Sequence, residues 1–205
     1  MVSTAALGVA AYAGIALVWS RFFRPSRHKH AELKVQYFPF GKVATDLMPL
    51  LKHHRTDETK FFVIGLDGYS VGLDDTTYPW QKCVQDMANG AKEWTYFLQE
   101  PTPQASEALK RVMDLYPSKI KVLVLDSNIT PTPADAETIQ LMRTNHFLVS
   151  ESPKMVWIEE NHPPKSTDAY NCAFLPPMVA EHDDRHARLL NTFRHITSLY
   201  GKPLQ

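Results

Sequence analysis

The 205-residue chain reads as an N-terminal transmembrane helix followed by one α/β sandwich domain with a largely parallel mixed sheet. Three observations predict it. Residues 2–20 carry no charged side chain and are followed at once by a basic cluster. Beyond residue 34, short apolar runs of strand length alternate with segments of helical periodicity, the pattern of strands joined through covering helices. Thr-Pro pairs at 102–103 and 132–133, and Asn-Gly at 89–90, fall where that alternation needs helix starts and stops. The division that follows is a membrane anchor over 2–20, a basic juxtamembrane linker over 21–34 and a cytosolic α/β domain over 35–205.

The anchor is long enough to cross a bilayer once. Its 19 residues would make a helix of about 28 Å against a hydrocarbon core of roughly 30 Å. Leu7, Val9, Tyr12, Ile15, Leu17, Val18 and Trp19 cover every face of that helix, and Trp19, Phe22 and Phe23 stand where interfacial aromatics belong. A cleaved signal would need its basic residues before the apolar run, whereas Arg21, Arg24, Arg27, Lys29 and Lys34 all follow it. The same asymmetry predicts a single-pass protein with its N-terminus outside and its domain in the cytosol. Ala6, Ala10 and Gly14 recur at four-residue spacing, a small-residue face through which two such helices could form a homodimer.

Charge is balanced, with 22 basic and 22 acidic side chains. Because the flank of the anchor is basic, the remainder is slightly acidic, and the expectation is no general nucleic-acid footprint. The flank itself is matched to the anionic headgroups of the lipid bilayer. Cys83 and Cys172 stand far apart with no C-x-x-C and no zinc spacing, which suits a reducing compartment and argues against structural zinc. From the sequence the cofactor is unknown.

Taken in order, Val35–Phe40 is a short apolar run holding Pro39, an extended arm or edge strand. Val43, Leu47, Leu50 and Leu51 have helical spacing and lead into Lys52, His53, His54 and Arg55, with Pro49 kinking the helix or starting its second half. Phe61–Leu66 is a continuous apolar run, the expected central strand, opening into Asp67-Gly68. Trp80, Cys83, Val84, Met87 and Ala88 predict a helix, and Trp94–Leu98 the next strand. Thr102-Pro103 opens a helix with Ala105, Leu109, Val112 and Tyr116 inward, ended by Pro117. Ile120–Leu125 is a buried strand. Thr132 and Asp135 have capping-box spacing ahead of Ala136, Ile139 and Met142. Phe147–Val149 and Met155–Ile158 are two strands about a Ser-Glu-Ser-Pro turn, expected at an antiparallel edge, and Asn171–Leu175 is a further short strand. A last helix starts near Asp184, with Leu189, Phe193, Ile196 and Tyr200 inward and Gly201 as its cap.

Ligands in open α/β sheets bind beyond the C-terminal ends of strands, which draws attention to Asp67, Asp126, Glu159, Glu160 and His162. Such acids with a histidine would hold magnesium for phosphoester hydrolysis or act as an acid/base pair, provided they converge. If they do not, they are strand terminators and helix caps. Asp67 is followed by Gly68 and Tyr69, not by the Asp-x-Asp of haloacid-dehalogenase phosphatases, and there is no G-x-S-x-G.

From residue 145 the order is His146-Phe147-Leu148-Val149, a turn, Val156-Trp157-Ile158-Glu159-Glu160-Asn161-His162, a loop, Tyr170-Asn171-Cys172-Ala173-Phe174-Leu175, and a helix with Phe193. This resembles the closing part of a phospholipase-D-like half domain, whose signature strand carries His-x-Lys followed by an acid. The anchor before a single half domain is similar to the mitochondrial-surface, Zucchini-type members. The resemblance implies that His146 occupies the place of the family's nucleophile. It also puts Leu148 where the family's lysine belongs and Pro153 where its aspartate belongs, and Lys154 follows on the turn. Without groups that neutralise phosphoryl charge the barrier rises by several kcal/mol. The expectation is therefore a non-catalytic, membrane-tethered interaction or regulatory domain. The alternative is a membrane-bound hydrolase acting on phosphoesters of lipid, nucleotide or nucleic acid, with His146, Asp67, Asp126, Glu160 and His162 as its candidate residues.

Overall fold

The computed structural model describes residues 35–39, 48–65, 89–160 and 171–204. The predicted anchor, the basic linker, the small-residue face of Ala6, Ala10 and Gly14, the helix over 80–88, and the candidates Asp67 and His162 lie outside these residues. Among the described residues no helix is long and apolar enough to cross a membrane.

The elements are β1 (Gln36–Phe38), α1 (Met48–His54), β2 (Lys60–Gly65), β3 (Glu93–Leu98), α2 (Pro103–Leu115), β4 (Ile120–Leu125), α3 (Pro133–Met142), β5 (His146–Glu151), β6 (Met155–Glu159), β7 (Cys172–Leu175), α4 (Pro177–Ala180), α5 (Asp184–Tyr200) and β8 (Gly201–Pro203). Among the described residues the strands form one eight-stranded sheet in the order β1-β7-β6-β5-β2-β3-β4-β8, with β2 in its interior as its apolar run requires.

The sheet is mixed, and its expected parallel character is corrected. Among the described residues β2 pairs parallel with β3 and β3 with β4. The pairings β1·β7, β7·β6, β6·β5, β5·β2 and β4·β8 are antiparallel. The hairpin of β5 and β6, expected at an edge, lies inside the sheet. The physical reason is that helices cover both faces, so β5 and β6 read as continuous apolar runs whatever their direction. Only the turn 152–154 between them, too short for a crossover, fixes them as antiparallel.

Alternation divides the core into two layers. Phe61, Val63, Trp94, Tyr96, Leu148, Trp157 and Phe174 face Leu51 of α1 and Leu109 and Val112 of α2. Phe62, Ile64, Phe97, Phe147, Val149 and Ile158 face Ile139 and Met142 of α3, Val179 of α4, and Leu189, Phe193 and Ile196 of α5. The long helix α5 lies across β6, β5, β2 and β4.

Local chemistry sets the boundaries. Thr102 Oγ1 accepts from the Ala105 amide at 3.1 Å and Thr132 Oγ1 from the Asp135 amide at 3.2 Å, each capping a helix whose first residue is proline. Asp183 caps α5 through the Arg185 amide at 2.8 Å. Gly201 ends α5 as expected, but by close approach: a Cβ there would lie 2.6 Å from the Thr197 carbonyl oxygen. Past it the chain turns into the unforeseen edge strand β8, where Leu125 pairs with Gly201. Ala136, expected inward, is exposed on α3, while Ile139 and Met142 are buried.

Candidate functional site

One end of the sheet gathers most of the chemistry. There β2 finishes at Gly65, β3 at Leu98 and β6 at Glu159, while β5 starts at His146 and β7 at Cys172. The register sets His146 opposite Glu159, and Glu159 opposite Cys172. Alternation from Leu148 and Trp157 turns all three toward the α1–α2 face, so that an imidazole, a carboxylate and a thiol form a row across three strands spaced about 4.8 Å apart. All three are buried, with exposures of 1%, 1% and 0%. One step beyond the last β2·β5 pair, Ile64 with Phe147, Gly65 stands beside His146 and adds no side chain to the row.

Burial pushes the Cys172 thiol up to about 12, and the charge of Glu159 adds to the rise. The thiol therefore stays protonated at neutral pH, which removes it as a nucleophile. Two residues along β5 from His146, and on the same face, Leu148 is 3% exposed and packs between its pairing partners Val63 and Trp157. That is the place where a phospholipase-D-like site needs its cation. Pro153 follows a cis peptide in the turn at the opposite end of β5, and Lys154 shares that turn.

The remaining candidates do not join the row. Asp126 lies at the end of β4, three strands from β5, where its Oδ1 accepts from the Asn128 amide at 3.1 Å, Asn128 Nδ2 at 2.9 Å and Lys202 Nζ at 3.1 Å. These bonds, the Asn128 amide foremost, hold its carboxyl below the usual range, so it is an ionised turn cap. Glu160 follows Glu159 on the chain, and alternation sends its side chain toward the opposite face, where α5 packs. Burial pushes its carboxyl up, against the pull of Arg185 on α5. Its backbone is pinned to Asn171: the Glu160 N–H donates to the Asn171 carbonyl at 2.9 Å, and Asn171 Nδ2 donates to the Glu160 carbonyl at 2.8 Å. Among the described residues no group of three His, Cys, Asp or Glu side chains is placed to hold a metal ion.

The sequence did not reveal the membership of Cys172 in the row, because only the pairing register of β6 and β7 sets it beside Glu159. It also did not reveal the buried pair of Asp183 and Arg185, in which Arg185 Nε donates to Oδ1 at 2.9 Å and a terminal nitrogen to Oδ2 at 2.7 Å. The signal available was Asp183 two residues ahead of Arg185 at a helix start, a spacing that also fits an exposed cap.

No protein-family model matches the chain, and no curated protein matches it. Among solved structures it is similar to TrmBL2, described as an archaeal chromatin protein that shows a novel mode of DNA binding, with a TM-score of 0.44 and 11% identity. The match covers 95% of this chain and 64% of that one, so this chain spans less than two thirds of that protein's length. The expectation of no nucleic-acid footprint is withdrawn. The physical flaw in that expectation is that net charge sums the whole chain, whereas phosphate is bound by local clusters that a balanced total conceals.

Proposed function

We propose that the chain is a single-pass, membrane-anchored protein whose α/β domain, a degenerate phospholipase-D-like half domain facing the cytosol, serves interaction or regulation and not catalysis. The observation that carries the reading is Leu148, 3% exposed within the apolar layer beside His146. A phosphoryl-transfer site needs preorganised positive charge within reach of its nucleophile, and the side chain at this place has none to give. The burial of His146 and the protonated state of Cys172 support the same conclusion. The anchor and topology are supported by the uncharged run over 2–20 and by the five basic residues that follow it.

Two measurements test this reading. Carbonate extraction should leave the full chain in the membrane pellet, and protease added to intact cells should spare the domain; digestion from outside would reverse the topology. The purified chain should not hydrolyse phosphodiesters or phospholipids. Turnover abolished by His146→Ala, at an unchanged melting temperature, would establish the hydrolase instead.

A further inference from the structure

At the opposite end of the sheet from His146, an open cleft of about 530 Å³ lies between the start of β2, the β5–β6 turn and the first half of α5. Lys60, Lys92, Lys154, His186, Glu58 and Glu151 line it. Its carboxylates are already paired: Glu58 with Lys92 Nζ at 2.6 Å, and Glu151 with a terminal nitrogen of Arg194 at 2.7 Å. Glu93, the cross-strand neighbour of Lys60, is likewise paired with Lys121 at 3.1 Å. Lys60 and Lys154 thus make no direct ion pair among the described residues, while Lys60 acts at longer range on Glu58 and Glu93; with Arg194 from outside the cleft taken up by Glu151, the two ammonium groups of Lys60 and Lys154 exceed what the carboxylates pair directly.

The framework of the cleft is fixed. Thr59, fully buried, donates from Oγ1 to the Ser152 carbonyl at 3.0 Å, and Thr56 Oγ1 donates to the same oxygen at 3.1 Å. Ser152 is held in the left-handed region at φ 56°. His186 Nε2 donates to the Ser150 carbonyl at 2.7 Å, which ties α5 to β5 and sets the wall of the cleft. Holding two like charges at one concavity has a cost in mutual repulsion, which a multiply charged anion would relieve.

We propose that this cleft binds a phosphomonoester group, with Lys60 and Lys154 as its principal ligands. A phosphomonoester carries up to two negative charges and three acceptor oxygens, which match compact ammonium donors arriving from different elements. A carboxylate would leave one of the surplus charges unneutralised. The site does not depend on the membrane reading; only the source of the phosphate does. β1 runs in the same direction as β2, so the chain enters β1 from the cleft end of the sheet. With a membrane anchor preceding β1, the headgroup of an anionic lipid becomes a source alongside a free phosphomonoester.

The test uses the full chain in detergent or reconstituted in vesicles, with Lys60→Gln, Lys154→Ala, and Lys110→Ala on the exposed side of α2 as the control. The probes are glycerol 3-phosphate followed by calorimetry, phosphatidylcholine vesicles with and without phosphatidic acid, and a short DNA duplex. Saturable glycerol 3-phosphate binding, weakened about tenfold or more in each cleft variant and unchanged in Lys110→Ala, supports the site with a free phosphomonoester as its ligand. Binding confined to phosphatidic-acid vesicles, with the same sensitivity, supports it with a lipid headgroup. Binding to none of the probes, binding indifferent to the cleft variants, or sensitivity seen only with the duplex would each overturn it. Lys154 is exposed, so its variant should remain folded, and circular dichroism on each variant separates lost binding from lost structure.

Discussion

Replacing Leu148 by lysine restores the residue type that a phospholipase-D-like strand carries two positions after its histidine, and so puts the non-catalytic reading at greatest risk. Leu148 is 3% exposed, with Val63 and Trp157 as its cross-strand neighbours and Leu109 and Val112 of α2 in the same apolar layer. Losing the buried isobutyl group costs about 2 kcal/mol. An ammonium in that layer must either be desolvated or give up its proton; a downward shift of about 3 units, at about 1.4 kcal/mol each, adds about 4 kcal/mol. The lysine stem keeps part of the apolar contact, so the net loss is about 4–5 kcal/mol. Against a total stability of about 5–15 kcal/mol this is a large fraction, and the urea midpoint of L148K should fall steeply. Leu148→Ala should lose about 3–5 kcal/mol by cavity formation. Both are read by circular dichroism, alongside turnover of a chromogenic phosphodiester. L148K within about 1 kcal/mol of the parent, with new phosphodiesterase activity, would refute the reasoning, because the layer beside His146 would then be an open pocket.

Asp183→Ala should lose about 4–5 kcal/mol in urea unfolding, from an N-cap worth about 1 kcal/mol and an Arg185 left buried without its carboxylate; Asp183→Asn, which keeps an acceptor for the Arg185 amide, should lose less, and equal losses would show that the cap matters little. Cys172, buried and with its thiol pushed up to about 12, should resist iodoacetamide in the folded chain and react only after denaturation, as peptide mapping would report; labelling under native conditions would mean that the row opens. Burial, then Lys154 and Arg194, hold His186 below its usual 6.5, against the Ser150 hydrogen bond and Glu151. The unfolded chain therefore binds a proton there that the folded chain refuses. Stability should be intact above about pH 6.5 and fall as pH drops toward the depressed folded value, by up to about 1.4 kcal/mol per pH unit. His186→Gln should flatten that slope in urea titrations, and an unchanged slope would remove His186 as its source.

Much of the fold was legible because local rules write it into the chain. Thr102 and Thr132 before prolines announce α2 and α3. Phe61–Ile64 can only be an interior strand, and the stripe of Leu189, Phe193, Ile196 and Tyr200 gives α5 almost to the residue. Strand direction was not legible, since burial on both faces erases the difference between parallel and antiparallel apolar runs. The site was harder still. His146 was visible as a family-like position, and Glu159 as a strand end, but their partnership with Cys172 depends on register. Asp126 and Glu160, alike in the sequence as acids after strands, part company in space: one is a turn cap bonded to Lys202, the other lies under the influence of α5.

Periodicity and residue type at single positions suffice for the alternation of strands and helices, their caps, the two apolar layers, and the absence of a cation at Leu148. Tertiary structure alone decided which polar groups meet. Pairing register set His146, Glu159 and Cys172 in one buried row, and the β5–β6 turn folding back on Thr56 and Thr59 brought Lys60 and Lys154 to one cleft from positions 94 residues apart. Those meetings depend on long-range pairing, whose energy comes from the buried layers and not from the polar residues themselves, and so the polar residues carry no local signature of it.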